Sequence, residues 1–409
     1  MKELPKQGTP RDTLFATLRE RKQEDADWRG GRTWSLVYPA GEEVDAVIRE
    51  ATGLYLFENA LNPLRFPSLR RMESEVVQMT ASLLHADEDA GGCMTSGGTE
   101  SILLAVLAAR ERARRERGVE RPELVLPESA HPAFAKAAHL LGLEVRRVPL
   151  RDDLRADPAA AAELVGERTA LVVGSAPCYP HGVVDPIPEL AGLAAARGVP
   201  FHCDACVGGF LLPFLERLGH PVPPWDFRVP GVTTVSADVH KYGYCNKGAS
   251  VLVHRRRHDL RRDQVFRYDA WPGGLYVSFG LAGTRPAAPI ATAWSVMQFL
   301  GEEGYVWLQR DVLDTTRRLL KGIGEIAGLR VLGRPDATLF AFSSDVLDVM
   351  AVGDRMDERG WHLDRQRGPD ALHCMVTPNH AKVVEPFLGD LRAAAAAPGV
   401  SRGGEARYA

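Results

Sequence analysis

The amino-acid sequence predicts an α/β protein, with a large domain built on a mostly parallel sheet and a small α+β domain at the C-terminal end. From about residue 60 onward, short β-branched runs alternate with helix-length amphipathic segments, as they do when helices cover the faces of a parallel sheet. One run, TALVVG from residue 169, is almost wholly apolar, which indicates a strand buried on both faces. After a Gly/Pro-rich stretch at 271–289 this alternation gives way to a long helical pattern.

The predicted elements of the large domain follow the chain in order. Strands are expected at 123–127, 143–148, 169–176, 199–205, 232–238 and 249–254. The segments between them are rich in Ala, Leu and Arg, and 101–117 and 131–142 are expected to be helices. Strands that alternate with helices bring their carboxyl ends to one edge of the sheet, where such folds bind ligands.

The small domain begins with the long helical pattern at 290–327. LRVLG and TLFAFSS then predict strands, DVLDVMAVGDRMDERG a helix, LHCMVT a strand and HAKVVEPFLGDLRAAAAA a final helix. Residues 1–35 are expected to form an extended, charged arm. The predicted division of the chain is an N-terminal segment at 1–60, the large domain at 61–289, the small domain at 290–400 and a tail at 401–409.

Composition excludes several classes of protein. The chain has 409 residues, of which 45% are hydrophobic and 25% charged, and a formal net charge of −3, so neither a disordered chain nor a basic nucleic-acid-binding surface is expected. No apolar run reaches the ~20 residues that a membrane-spanning helix needs, and the first residues lack the apolar centre of a signal peptide. We therefore expect a cytoplasmic protein with no membrane anchor and no nucleic-acid partner.

The six cysteines predict reduced thiols, because a long chain without a secretory signal does not usually carry a disulfide framework. Cys203 and Cys206 form a C-x-x-C pair, which is either a redox pair or incidental spacing, and the apolar strand around it favours the second interpretation. No second Cys or His pair at zinc spacing stands nearby, so no metal site is expected.

The segment TSGGTES, from Thr95 to Ser101, opens a strongly helical run with two glycines. Glycine allows a ligand to approach the backbone closely, and the exposed amides at a helix N-terminus favour phosphate. An ordinary helix start, with Ser96 or Thr99 capping those amides, explains the segment equally well.

Three further residues stand where ligand-binding groups are expected. Asp204 ends an apolar strand, and a carboxylate buried there needs a partner, either a protonated ring nitrogen or a structural arginine. Lys241 follows another strand, as an imine-forming lysine does, although a lone lysine is also an ordinary surface charge. Only eight of the 50 Lys and Arg residues are lysines, which favours chemistry that arginine cannot perform. His131 either caps a helix or stacks on a planar ligand.

Together these groups meet the requirements of pyridoxal phosphate. A lysine forms an imine with the cofactor aldehyde, a carboxylate keeps the pyridine nitrogen protonated so that the ring accepts electrons, and a helix start holds the phosphate. No single group is specific for this cofactor, but the order and number of the groups along the chain are.

The sequence resembles the fold-type I pyridoxal phosphate enzymes of the group II decarboxylase superfamily, and within it the sphingosine-1-phosphate lyases. The resemblance runs from about residue 35 to residue 392, and SADVHKYGY with SAPCYPHG is its most specific combination. Other matching segments are SLVY, NPL, FPSLRRMESEVV, TSGGTES, AHPAFAKAAHLLG, HCDACVGGF, GTRP, MDERGWHL and LHCMVTPNH. It implies the transferase-like fold of these enzymes and pyridoxal 5'-phosphate as cofactor.

The resemblance also implies roles for the matching residues. Lys241 would hold the cofactor covalently, Asp204 would pair with its ring nitrogen, and His131 would stack on its ring. Further cofactor contacts would come from Gly97, Gly98, Thr99, Ser175 and His240. The substrate site would contain Tyr38 as a catalytic residue, with Tyr179 and Lys247 close to a phosphate of the substrate. The Gly283–Arg285 loop is similar to one that reaches the neighbouring subunit's site, which implies a homodimer with shared active sites.

The activity that the resemblance implies is a carbon–carbon lyase, which cleaves a phosphorylated or otherwise anionic 2-amino-3-hydroxy substrate to an aldehyde and an amine. Two segments depart from the lyase pattern: NPLRFP is shortened and has Arg65 in place of a histidine, and Cys178 replaces a common asparagine. The altered NPLRFP segment leaves an amino-acid decarboxylase as the alternative. A cofactor-binding protein without turnover is a third hypothesis, against which the intact Lys241, Asp204 and His131 argue.

Overall fold

A computed structural model describes residues 1, 3–397, 399–401 and 403, and in that part of the chain strands and helices alternate through most of the length. The strands are β1 (Gly91–Thr95), β2 (Glu123–Pro127), β3 (Glu144–Val148), β4 (Thr169–Ser175), β5 (Phe201–Asp204), β6 (Val232–Ala237), β7 (Ser250–His254), β8 (Phe266–Tyr268), β9 (Tyr276–Ser278), β10 (Arg330–Val331), β11 (Leu339–Ser343), β12 (Asp364–Gln366) and β13 (Ala371–Met375). The helices are α1 (Arg11–Lys22), α2 (Glu42–Leu54), α3 (Pro67–Leu83), α4 (Gly98–Arg117), α5 (Ala133–Leu141), α6 (Pro158–Leu164), α7 (Ile187–Ala196), α8 (Leu212–Arg217), α9 (Arg257–Asp259), α10 (Ala288–Gly324), α11 (Val349–Asp357) and α12 (Val384–Ala396).

A seven-stranded sheet in the order β1-β7-β6-β5-β4-β2-β3 organises the large domain. The pairs from β6 to β3 are parallel, while β7 runs antiparallel to both of its neighbours. The predicted α/β fold with a mostly parallel sheet is therefore confirmed, and all six predicted strands of this domain are present.

Both faces of the sheet are covered, as the apolar strands predicted. On β2, Leu124 and Leu126 pack with α4 and α5, while Val125 between them points into the larger core on the opposite face. The successive side chains of a strand alternate between faces, so a strand that is apolar throughout requires this two-sided burial.

The small domain contains a four-stranded antiparallel sheet in the order β10-β11-β13-β12, with α11 packed against α12 and β13. Helix α10 leads into this domain and bends at Gly301, whose φ of 55° interrupts the helical backbone. The domain boundaries stay a prediction, and apart from residues 401 and 403 the predicted tail lies outside the described residues.

The N-terminal segment differs from the expected extended arm. Residues 11–22 form α1, and α2 packs against α10. Between these helices, Trp34 is fully buried in the small domain, stacked on His380 with a centroid distance of 4.1 Å. The charge pattern of the first 35 residues concealed the helix, because α1 buries no residue and its apolar side chains, Leu14, Phe15 and Leu18, are exposed among charged ones. No described helix is at once long and apolar enough to span a bilayer.

Candidate active site

The carboxyl ends of three neighbouring strands bring three polar side chains into line. Ser175 on β4 lies opposite Asp204 on β5, and Asp204 lies opposite Ser236 on β6. The Asp204 Oδ1 atom accepts hydrogen bonds from the Cys206 amide at 3.1 Å and from the Ser236 hydroxyl at 3.2 Å. The carboxylate is therefore held in one orientation at the edge where parallel sheets bind ligands.

A buried histidine supports this carboxylate from behind. His202 Nδ1 lies 2.9 Å from the Thr234 hydroxyl and His202 Nε2 lies 3.2 Å from the Ser236 hydroxyl. Because Ser236 gives its single proton to Asp204, His202 Nε2 must be the donor toward Ser236, which defines the tautomer. Burial lowers the pKa of His202 to about 4, so the ring is neutral and leaves the negative charge of Asp204 uncompensated.

Helix α4 begins next to this edge without a side-chain cap among the described residues, since Gly97 occupies the N-cap position. Glu100 instead accepts hydrogen bonds from the amide and hydroxyl of Ser96, both at 2.7 Å, and so fixes the turn before the helix. A Cβ atom on Gly98 would lie 2.7 Å from Cys206 Sγ, so only glycine fits. Of the two interpretations of TSGGTES, the phosphate site agrees better with this geometry, because the first amides remain available to an anion.

Lys241 reaches the same place from the turn after β6. Its Nζ lies 3.0 Å from Asp238 Oδ2, and the His240 Nε2 atom lies 3.6 Å from the same oxygen. Burial raises the pKa of Asp238, but the nearby charge of Lys241 and the ring of His240 outweigh burial and bring the pKa below its usual range. Asp238 is therefore a carboxylate, and it holds the Lys241 ammonium at the start of α4.

His131 completes the group. Its Nδ1 accepts a hydrogen bond at 3.1 Å from the amide of Ala133, the first residue of α5, although Pro132 and not His131 occupies the N-cap position. Burial lowers the pKa of His131. The negative charges of Asp204 and Asp238 oppose this change, and the charge of Lys241 adds to it. The side chains of Asp204, Asp238, Lys241 and His131 thus share one site. In this site His131 contributes a neutral ring. The hydrogen bond to the Ala133 amide is made by a ring nitrogen in the plane of the ring, so it is compatible with stacking of the ring on a planar ligand.

Lys247 and Tyr38 form a second cluster close by. Lys247 Nζ donates to the His240 carbonyl at 3.0 Å and lies 4.5 Å above the Tyr38 ring centroid. Burial lowers the pKa of Lys247 to about 8. The Tyr38 hydroxyl donates to Met375 of β13, so this tyrosine links the large-domain turn to the small domain.

Tyr179 belongs to a third cluster. Its hydroxyl donates to Asp364 Oδ2 at 2.6 Å, and its ring centroid lies 4.4 Å from that of His373. Ser35, three residues before Tyr38, donates to Asp364 Oδ1 at 3.1 Å. The Ser35–Tyr38 segment therefore connects the Tyr179 cluster with the Lys247 cluster, although the two predicted phosphate contacts have separate hydrogen-bond partners.

Comparison with known proteins agrees with this geometry. Residues 30–344 match the pyridoxal-dependent decarboxylase conserved domain, and the chain belongs to that family. It is 43% identical to a sphingosine-1-phosphate lyase of Arabidopsis thaliana over 98% of this chain and 75% of the relative, and 40% identical to sphingosine-1-phosphate lyase 1 of Rattus norvegicus over 96% and 69%.

Comparison with solved structures shows which members of the family this chain resembles in structure. A sphingosine-1-phosphate lyase of Burkholderia pseudomallei superposes with a TM-score of 0.93 at 43% identity, covering 96% of this chain and 92% of that one. The glutamate decarboxylase of Lactobacillus brevis, at 21% identity and a TM-score of 0.85, shares the fold. Within the family, the chain is a sphingosine-1-phosphate lyase-like member, and it is a pyridoxal phosphate-dependent lyase.

The described residues fit the cofactor. The uncapped start of α4 suits its phosphate, the Lys241 amine its aldehyde and the Asp204 carboxylate its ring nitrogen. The Ser175 hydroxyl is buried without a hydrogen-bond partner in the described chain, as expected of a donor reserved for a ligand. Thr99 is exposed at the helix start, and a Cβ atom on Gly97 would lie 3.3 Å from the His240 ring. The individual roles of these residues stay predictions.

Sequence reasoning missed Asp238, Ser236, His202 and Asp364. Asp238 lies inside SADVHKYGY, and its fixed offset from Lys241 was the available signal, whereas the others become neighbours only through strand register. All six cysteines are free and buried, and burial raises the thiol pKa of Cys203 and Cys206 far above the ordinary range. Among the described residues, no three His, Cys, Asp or Glu side chains group to hold a metal ion.

The first prediction concerns the attachment point of the cofactor. Borohydride treatment of the cofactor-loaded protein should label Lys241, because reduction makes the bond between its amine and the cofactor aldehyde permanent. Lys241→Ala should abolish the label, whereas Lys247→Ala, the matched change at the other lysine of this segment, should retain it. Peptide mass spectrometry reads the position, and a label on Lys247, or one that survives in Lys241→Ala, would contradict the assignment.

Proposed function

We propose that this lyase cleaves the Cα–Cβ bond of a phosphorylated 2-amino-3-hydroxy substrate and releases an aldehyde and a phosphorylated amine. The supporting observation is the position of the Lys247 ammonium, which is held next to His240 and above the Tyr38 ring. A cation beside the cofactor site is suited to a substrate phosphate, since hydrogen bonds between charged groups are the strong ones. The relatives are named sphingosine-1-phosphate lyases, and the substrate in that name belongs to this chemical class.

The residues of the site have separable tasks in this reaction. When bound, the cofactor supplies an acceptor for the electron pair that a bond to Cα releases. The Asp204 carboxylate, fixed by Ser236 and the Cys206 amide, keeps a proton on the ring nitrogen by its charge. The neutral ring of His131 would exclude water from one face of the bound cofactor ring. Lys241, once the substrate amine has displaced it, is free to return a proton to Cα.

The direct test is product analysis. The cofactor-loaded protein is incubated with phosphorylated sphingoid bases and with short-chain phosphorylated 2-amino-3-hydroxy compounds, and aldehyde release is measured. We expect aldehyde and phosphorylated amine in equal amounts. Carbon dioxide from a panel of amino acids, without aldehyde from any phosphorylated substrate, would instead establish the decarboxylase alternative that the shortened NPLRFP segment suggests.

Lys247 provides a second prediction. A lost charge-assisted hydrogen bond costs about 1.5–3 kcal/mol, so Lys247→Met should raise KM for the phosphorylated substrate by ~10–100-fold and leave dephosphorylated analogues almost unaffected. Burial lowers the pKa of Lys247 to about 8. Its positive charge is present below that pH and is lost above it.

The loss of the Lys247 positive charge above about pH 8 determines how KM should depend on pH. In the unmodified enzyme, KM for the phosphorylated substrate should be flat below about pH 8 and rise above it, and Lys247→Met should remove the rise. Lys136→Met, at a lysine on α5, is the control. If the rise persisted in Lys247→Met, another group would bind the phosphate.

We further propose a homodimer in which each copy covers an apolar groove of the other. A groove of about 1160 Å³ separates residues 60–66 from the loop at 271–285, and none of the proposed cofactor residues lines it. Exposed apolar side chains surround it, including Leu61, Leu64, Trp271, Leu275 and Phe279. An apolar surface of this kind marks an interaction site, and the loop anchored by Arg285 on Glu73 is the one expected to reach a neighbouring subunit.

Trp271→Asp should separate the dimer, because it places a charge in the apolar contact. Trp307→Asp is the matched control, since Trp307 is 60% exposed against 56% for Trp271 but does not line the groove. Sedimentation should show a dimer for the unmodified chain and the control, and a monomer with reduced cofactor affinity for Trp271→Asp. An unmodified chain that sediments at 44.7 kDa and is fully active would contradict shared sites.

We propose the cytoplasm as the place of action. The support is chemical, because six free, buried cysteines suit a reducing compartment. Fractionation of the source cells tests the proposal, and recovery of the protein with secreted or membrane material would overturn it.

A further inference from the structure

The loop after β4 is held from the small domain, and the contacts fix the orientation of Tyr179. Asp364 on β12 accepts the Tyr179 hydroxyl at 2.6 Å, and Gln366, on the same strand, donates to the Pro180 carbonyl at 3.0 Å. His373 lies opposite Asp364 in the sheet and packs its ring on Tyr179. Tyr179 is therefore oriented by three side chains from a second domain.

Asp364 is an acceptor with two hydroxyl donors. Ser35 supplies the second, at 3.1 Å to Oδ1. Burial raises the pKa of Asp364 above the ordinary range of a carboxyl group, although the hydrogen bonds from Tyr179 and Ser35 oppose the change. The neighbouring His373 is neutral, because burial lowers its pKa to about 3. The Tyr179 hydroxyl therefore donates its hydrogen bond to Asp364 and not to His373.

The polarity of the Tyr179 hydroxyl follows from its having a single proton. A phenol that donates this proton to a carboxylate presents only lone pairs to any other ligand. In this arrangement Tyr179 accepts hydrogen bonds, and it has no proton to offer to a substrate phosphate. Lys247 differs, since its ammonium has three protons and the His240 carbonyl takes only one of them.

A division of tasks results between the two residues that the resemblance placed together at the phosphate. Lys247 supplies the cation for the phosphate. Tyr179 supplies an acceptor, and the donors of a 2-amino-3-hydroxy substrate are its amine and its hydroxyl. The amine is committed to the cofactor, so the hydroxyl remains for Tyr179.

We propose that Tyr179, held and polarised by Asp364, accepts the proton of the substrate hydroxyl during bond cleavage, and that Asp364 is the positioning residue that takes up the Tyr179 proton. The proposal rests on the proposed function. The hydroxyl proton moves to Tyr179 Oη as the phenol proton moves to Asp364 Oδ2. The C–O bond becomes a carbonyl as the Cα–Cβ bond breaks, and Cα, where the electron pair of that bond ends, takes a proton from Lys241; the bound cofactor would supply the acceptor that makes this possible.

The proposal predicts a kinetic separation. General-base catalysis contributes about 10²–10⁴-fold, so Asp364→Asn should lower kcat by about 10²-fold or more in the cofactor-loaded enzyme while KM changes little. Tyr179→Phe should give a similar loss, and the double variant should be no slower than Tyr179→Phe, because two residues that act as a unit are not additive. Asp357→Asn, on α11 in the same domain, is the control and should keep full kcat.

A binding measurement distinguishes this role from a structural one. The inhibition constant of a phosphorylated 2-amino compound that lacks the 3-hydroxyl should be unchanged in Asp364→Asn and Tyr179→Phe, since the analogue has no proton for Tyr179. Equal weakening of the analogue and the substrate would mean that Asp364 only stabilises the fold, and would overturn the proposal. Normal kcat in Asp364→Asn alongside a large loss in Tyr179→Phe would overturn it as well.

Two further results keep the tests separate. If Asp364→Asn does not fold, Tyr179→Phe carries the test alone, through the same loss in kcat with unchanged analogue binding. If the unmodified enzyme releases no aldehyde from any phosphorylated substrate, the proposed function fails. The hydroxylated compound must then still bind more tightly than its deoxy analogue, and Tyr179→Phe must remove that preference, or this proposal fails too.

Discussion

The alignment of three strand ends is the constraint on which the rest of the site depends. Because β4, β5 and β6 are parallel and in register, Ser175, Asp204 and Ser236 meet at one edge without any loop having to place them. Ser236 and the Cys206 amide then fix one oxygen of Asp204, and His202 fixes Ser236. A carboxylate whose orientation is set by a sheet keeps its position while the loops around it handle different substrates.

Charge is distributed around this edge so that each group remains in one protonation state. Asp238 balances Lys241 at 3.0 Å, and burial keeps the rings of His131, His202 and His240 neutral. Asp204, the uncapped amides of α4 and Lys247 are the groups proposed to meet opposite charges of the cofactor or of the substrate. Met375 and Asp364 of the small domain accept hydrogen bonds from Tyr38 and Tyr179, so the proposed substrate residues are held from both domains.

The sequence predicted the elements with strong local patterns. The strands β2 to β7, most of which are apolar, and the helices α4, α5 and α10 were predicted at positions that agree with the structure to within a few residues. Strand β1 was missed because GGCMT has two glycines, and the β8-β9 hairpin was missed because it lies beside a Gly/Pro-rich stretch. Helix α1 was missed because it buries nothing. Among the residues of the candidate site, those in motifs could be predicted, while Ser236, His202 and Asp364 depend on register and domain packing, which no local pattern encodes.

The protonation state of the cofactor ring nitrogen shows whether Asp204 controls the ring. Nitrogen-15 NMR of the protein loaded with ring-labelled cofactor reports whether that nitrogen carries a proton. The account predicts a protonated nitrogen throughout the pH range in which the protein is folded, and loss of that proton in Asp204→Asn, in which the charge is removed but the size is retained. An unprotonated nitrogen in the unmodified protein, or one that stays protonated in Asp204→Asn, would show that Asp204 does not control the ring.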